Sequence, residues 1–202
     1  MQRLVLATRN ANKVTELRAI LADAGLTLDL VGADAYPDVP DVKETGVTFA
    51  ENALLKARTL AQATGLPAVA DDSGLCVDVL GGAPGIFSAR WAGQHGAGKD
   101  RANLELLLAQ LADIDDAHRG AHFTCAAALA LPDGTERVVE GHLHGTLRHV
   151  PSGTGGFGYD PILQPAGETR TCAELTPAEK NAISHRGQAF RALAPVVREL
   201  LG

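Results

Sequence analysis

The chain predicts an α/β fold, a mixed β-sheet flanked by helices, built as one domain over residues 1–202. Three observations carry this reading. Short apolar runs alternate with amphipathic helical stretches in the N-terminal part, the pattern of β-α-β units. A long hairpin pattern follows in the middle of the chain, so the sheet is mixed rather than wholly parallel. A length of 202 residues suits one domain with a real core, and no linker, repeat or low-complexity tract divides it.

Residues 3–8 read as a buried strand entered directly at the N-terminus. Asn10 or Asn12 then suits the cap of a helix to about residue 24, with Val14, Leu17, Leu21 and Ala24 on one face and Gly25 as its stop. Residues 26–32 read as a second strand, and residues 34–46, with Pro37 and Pro40, as a loop. Thr48-x-x-Glu51 is a capping box opening a long helix to Thr64, with Phe49, Ala53, Ala57, Leu60 and Ala61 turned inward. A strand ending at Asp71 follows. Residues 74–98 form a Gly-rich connector, and an amphipathic helix runs from about 100 to 112 through Leu104, Leu107, Leu108 and Leu111. Residues 123–131 and 135–147 flank a Pro132-Asp133-Gly134 turn as a hairpin. Residues 151–161 are a second Gly-rich loop. Thr176-Pro177-Ala178-Glu179 is another capping box, with proline at its first helical position. The last helix spans about 185–201, and Pro195 is expected to kink or restart it.

Composition narrows the function. Hydrophobic content of 46% and charged content of 21% are ordinary for a soluble globular protein. No stretch approaches membrane length, and the apolar start is too short for a signal peptide. Cys76, Cys125 and Cys172 are widely spaced and form no CxxC pair, which reads as reduced packing thiols in a cytoplasmic protein. A net charge of −6 argues against broad nucleic-acid binding, but not against a small polyanion held by focused cations.

Two motifs match by letter only. Gly93 to Lys99 fits the front of a Walker A pattern, but Asp100 stands where Ser or Thr must hold magnesium. Gly153 to Gly158 matches GxGxxG, but Tyr159-Asp160-Pro161 follows where a helix would have to begin.

The residues that point to chemistry are elsewhere. Asp71 and Asp72 end a buried strand. Adjacent strand residues face opposite ways, and like charges this close resist ionising together unless a cation sits beside them. Hard oxygen ligands would favour Mg²⁺ or Mn²⁺, although an Asp-capped turn suits the same residues. Glu44 precedes the long helix and can converge with them on one metal, with Lys56 two turns inside that helix. Thr8-Arg9-Asn10-Ala11-Asn12-Lys13 lies at a strand-to-helix junction, where helix-start amides and a lysine make an anion site or an ordinary cap. Lys180, His185 and Arg186 gather near two helix starts. Phe157 and Tyr159 sit in a Gly-rich loop of a protein that is only 4% aromatic, where a ring can stack on a base. Together these parts describe a nucleoside triphosphate site.

The motifs TxNxxK, ETGxTFxENAxxKA, ADDSGLxVDxLGGxPGxxSAR, GTGGFGYDP and ELTxxEKNxISHRG run in order from Thr8 to Gly187. In them the chain resembles the inosine triphosphate pyrophosphatase family, which hydrolyses dITP, ITP and XTP to the monophosphate and pyrophosphate. The resemblance implies an elongated mixed sheet in two lobes with a central cleft, a homodimer, and Mg²⁺ as cofactor. By position it makes Thr8, Arg9, Asn10, Ala11, Asn12 and Lys13 the triphosphate loop, and Glu44 and Asp72 the metal-linked acids. Asp72 becomes the proton acceptor, assisted by Asp71; with that chemistry, Lys13, Lys56 and Lys180 are expected to offset the charge of the triphosphate and the leaving pyrophosphate. Ser73, Phe157, Gly158, Tyr159, Asp160, Lys180, His185 and Arg186 become the remaining nucleotide contacts. One position departs: Arg9 stands where the family pattern usually has glycine. It either strains the loop, if φ > 0 is required there, or points outward or adds a cation.

Overall fold

In a computed structural model of the protein, residues 2–9 and 11–202 are described, Ala11 and Asn12 by their backbone alone. The expected cap at Asn10 or Asn12 therefore lies outside the described atoms. The strands are β1 (Arg3–Leu6), β2 (Asp29–Gly32), β3 (Ala68–Val77), β4 (Gly120–Ala130), β5 (Glu136–Leu147) and β6 (Leu163–Pro165). The helices are α1 (Ala11–Asp23), α2 (Phe49–Thr64), α3 (Lys99–Gln110), α4 (Pro177–Ile183) and α5 (His185–Leu201). The strands form one mixed sheet in the order β2-β1-β3-β4-β5-β6. β1 is parallel to β2 and to β3, each pair joined through a helix as parallel pairing requires, while β5 and β6 are antiparallel.

The chain divides into two compact units. One comprises Met1–Asp72, Cys125–Gly141 and Arg186–Gly202, and the other Ser73–Thr124 and His142–His185. The core of the first joins Leu4 and Leu6 of β1, Leu17 and Leu21 of α1, Val69 of β3 and Phe190, Leu193 and Val197 of α5. The core of the second joins Leu75, Leu104, Leu107, Leu111, Phe123, Leu143, Tyr159 and Ile162. The inward face expected of α2 is buried, and of that expected for α3 Leu104 and Leu107 are buried, Leu108 partly so and Leu111 just past the helix end, because side chains three and four apart share one side of a helix.

Several boundaries differ from the sequence reading. β2 begins at Asp29 because the end of α1 uses the preceding residues. There Gly25 is left-handed (φ 73°), and Leu26 N–H returns to Leu21 O at 2.9 Å. β3 does not stop at Asp71 but continues through Asp72, Ser73 and Gly74 to Val77. Its paired carboxylates are met by cations, so the chain needs no turn there. α5 runs on through Pro195 without restarting. The buried face of Phe190, Leu193, Ala194 and Val197 outweighs the one helical hydrogen bond proline removes. β6 was not legible in the sequence, being only 3 residues long.

Candidate active site

In the first unit, the β1–α1 junction and α5 aim two cations at one carboxylate. Lys13 Nζ lies 3.0 and 3.1 Å from the two Asp71 oxygens, and Arg186 Nε lies 3.1 Å from Oδ2. The Asp71 side chain is almost wholly buried. Burial alone would raise its pKa, but Lys13 and then Arg186 overcome this and hold it well below the usual carboxylate range. Asp71 is thus a fixed anion that positions two cations.

Asp72, the next residue along β3, meets a different set. Lys56 Nζ donates to Asp72 Oδ1 at 2.9 Å and to Glu44 Oε1 at 3.1 Å, and Asn52 Nδ2 approaches Asp72 Oδ2 at 3.3 Å. Asn52 and Lys56 are four apart on α2 and so share a face. Burial is the main influence on Asp72 and raises its pKa. Glu44 raises it further, and Lys56 only partly offsets them. Lys56 itself is disfavoured by burial but held charged by Asp72 and Glu44. One carboxyl of the pair is therefore locked as an anion, while the other has the stronger affinity for a proton.

The approach of Glu44 to this point depends on the start of α2. Thr48 caps the helix by accepting from Glu51 N–H at 3.1 Å, but Glu51 reaches back to Val47 N–H, at 2.7 Å, one residue before the position a capping box uses. Gly46 N–H donates to Asn52 Oδ1 at 2.8 Å, and a Cβ on Gly46 would come within 2.7 Å of the Glu51 Cβ. Glycine is required by this close approach. Sequence reasoning missed Asn52, which is wholly buried and ties the segment carrying Glu44 to Asp72. Its signal was its place one turn before Lys56.

Glu44 and Asp72 are the two acids that could hold a divalent cation, at the point where the Lys56 ammonium now sits; among the described residues no third such ligand joins them. Lys56 Nζ contacts both Glu44 and Asp72, so the two carboxylates face one point at cation distance, and both offer hard oxygen ligands. An open cavity of about 410 Å³ is lined by Thr8, Arg9, Lys13, Glu44, Lys56 and Asp71 with their neighbours. The Arg9 guanidinium reaches Val39 O at 3.1 Å and Asp41 Oδ1 at 3.3 Å. No non-glycine residue among those described has positive φ, so Arg9 occupies the family's glycine position without that strain.

In the second unit, the Gly-rich loop is organised by Asp160. Its Oδ2 accepts from Phe157 N–H at 2.8 Å and from Lys180 Nζ at 2.5 Å. Lys180 Nζ in turn sits 5.3 Å from the centre of the Phe157 ring, which is 64% exposed. Gly156, at φ 70°, leaves room for this carboxylate, where any Cβ would collide with it. Asp160 is buried and accepts from both Phe157 N–H and Lys180 Nζ, so it positions the loop. Tyr159 departs from the expectation of a stacking ring: it is buried, and its hydroxyl donates to Ser88 O at 2.9 Å. Asp100, which breaks the Walker pattern, instead accepts from Gly158 N–H at 3.3 Å and helps hold the loop.

Lys180, His185 and Arg186 do not act as one cluster. Lys180 goes to Asp160, the His185 ring stacks on Phe123 at 4.9 Å between centres, and Arg186 goes to Asp71. Ser73 is half-buried in β3, and Thr8 is half-buried after β1. Asn10 and the side chains of Ala11 and Asn12 lie outside the described residues.

The model of the Ham1 family matches residues 4–196. The chain belongs to the Ham1 family. Two members named dITP/XTP pyrophosphatase, from Streptomyces coelicolor and Streptomyces avermitilis, are 85% and 84% identical over 202 residues, with both chains covered completely. The solved structure of a HAM1 protein from Coxiella burnetii is 43% identical, covers 98% of this chain and 100% of its own, and superposes with a TM-score of 0.90. A Ham1 family member with this α/β sheet places its paired Asp71 and Asp72 on one of the central strands.

Proposed function

We propose that this protein hydrolyses non-standard purine nucleoside triphosphates (dITP, ITP and XTP) to the monophosphate and pyrophosphate, in the cytoplasm, with Mg²⁺ as metal and as a homodimer. The observation that carries the reading is the division of labour in β3: Asp71 is locked between Lys13 and Arg186, while Asp72 shares Lys56 with Glu44 and holds a raised pKa.

Glu44 and Asp72 would hold the metal. Bound there, Mg²⁺ would polarise a phosphoryl oxygen and lower the pKa of the attacking water. Asp72 accepts the proton of that water as its oxygen bonds to the α-phosphorus, and the bond from the α-phosphorus to the bridging oxygen breaks to release pyrophosphate. Lys13, Lys56 and Arg186 offset the negative charge of the phosphates and the leaving group, with Asp71 fixing the first and last in place. The start of α1, with Lys13 in its first turn, supplies an environment that suits phosphate. On the second unit, Phe157 offers its face to a base and Lys180 a further cation.

Selectivity rests on the 6-oxo group of hypoxanthine and xanthine. A donor aimed at that acceptor is left unpaired by the 6-amino group of adenine, which can cost about 10⁴-fold. The test is release of monophosphate and pyrophosphate from dITP, XTP, dGTP, dATP and dTTP with Mg²⁺. Rapid turnover of dITP and XTP alone is the expected result. Preference for another modified nucleotide would keep the chemistry and replace the substrate, and binding without turnover would overturn the assignment.

A further inference from the structure

The second unit carries a cluster that the pyrophosphatase reading does not use. His122 of β4 and His142 and His144 of β5 share one face of neighbouring strands. His142 and His144 are two apart and so point the same way. Phe123 and Leu143, their immediate neighbours in sequence, point into the core. The histidines therefore lie on the outer face, with His122 half-buried and His142 and His144 exposed. Their ring centres are 5.1 Å apart for His122 and His144, 5.9 Å for His122 and His142, and 6.1 Å for His142 and His144.

We propose that His122, His142 and His144 form a binding site for a divalent transition metal of the Zn²⁺, Co²⁺ or Ni²⁺ class, separate from the Glu44–Asp72 pair. Three imidazoles from an HxH pair and a facing strand make a nitrogen-only set, which suits these metals and not Mg²⁺. With metal–nitrogen bonds of about 2.0–2.1 Å, tetrahedral ligation places ring centres about 5 Å apart, so each separation is within about 1 Å of what the metal needs. Two of the rings have candidate outer partners of the kind ligating histidines use. Thr124 Oγ1 lies 3.1 Å from His142 Nδ1, which leaves Nε2 of that ring to turn to the metal, and the Asp78 carboxylate lies 3.8 Å from His122 Nδ1, close enough to close onto it when the metal binds. Among the described residues no three such side chains already gather their ligating atoms around one point, and binding therefore includes rotation of the exposed His142 and His144 rings.

The test is titration of the whole protein with Co²⁺ in excess Mg²⁺, so that the hard oxygen sites are filled. One Co²⁺ per chain, with the strong visible absorption of a tetrahedral nitrogen environment and displacement by Zn²⁺, is expected. His142→Ala and His144→Ala should each weaken binding at least about tenfold, and Asp78→Asn about tenfold through the outer shell. Zn²⁺ should raise the melting temperature of the native protein but not of the double variant. Hydrolysis of dITP with Mg²⁺ unchanged in both variants would show that they fold. Absence of saturable Co²⁺ binding, or binding that survives loss of both His142 and His144, would overturn the site.

Discussion

Asp71 and Asp72 are consecutive in β3 but accept hydrogen bonds from different cations, Lys13 and Arg186 for the first and Lys56 for the second. This follows from strand geometry, which sends neighbouring side chains to opposite faces. It gives two acids of one type different surroundings: Asp71 is held as an anion, while the pKa of Asp72 is raised.

Asp72→Asn should lower turnover of dITP by about 10²–10⁴-fold, the range for loss of a general base. Folding should not suffer. The pKa of Asp72 is raised in the folded state, so its ionised form is disfavoured by folding, and Lys56 keeps Glu44 as partner. An unchanged or slightly higher melting temperature with a collapse in rate is the expected pair of results. A variant with near-native turnover would remove Asp72 from the mechanism.

Asp71→Asn should instead cost stability. It leaves two buried or half-buried cations without their anion, a change worth about 3–5 kcal/mol. The pH dependence has a defined sign. The folded pKa of Asp71 is depressed, so its contribution is complete above the unfolded carboxylate pKa of about 3.9 and is lost as pH falls below it. Thermal melts between neutral and acid pH should show the native protein losing stability toward acid more steeply than the variant.

The rate profile should carry the opposite shift. With the Asp72 pKa raised, the acid limb of kcat/KM should lie above that of an unperturbed aspartate, because protonation removes the base. Initial rates across the acid range would show an inflection near an unperturbed carboxylate if this account is wrong.

Phe157→Ala should raise KM for dITP about tenfold with a smaller effect on kcat, since stacking on one base contributes about 1–3 kcal/mol. Asp160→Asn should act in the same direction by loosening the contacts to Phe157 N–H and Lys180. A kcat loss without a KM change in either variant would place this loop outside base binding.

Arg9→Ala tests the departure from the family pattern. Its contacts to Val39 and Asp41 are exposed, and such pairs contribute at most about 1 kcal/mol. A KM increase below about fivefold, with faster amide exchange over residues 39–42, is expected. A larger loss would mean that Arg9 touches the triphosphate directly.

What the sequence determined by itself is what local chemistry encodes. Periodicity marked the buried faces of α2 and α3, Thr176 and Glu179 marked the start of α4, and the ordered motifs marked the chemistry. Tertiary structure decided what depends on partners distant in the chain. β3 passes through Asp71 and Asp72 because Lys13, Lys56 and Arg186 meet them, the last 115 residues away from Asp71. Tyr159 belongs to the core and Asp160 to the loop's framework because Ser88 and Lys180 satisfy them. A sequence names the charges, but only packing fixes which carboxylate is buried against two cations and which keeps the affinity for a proton.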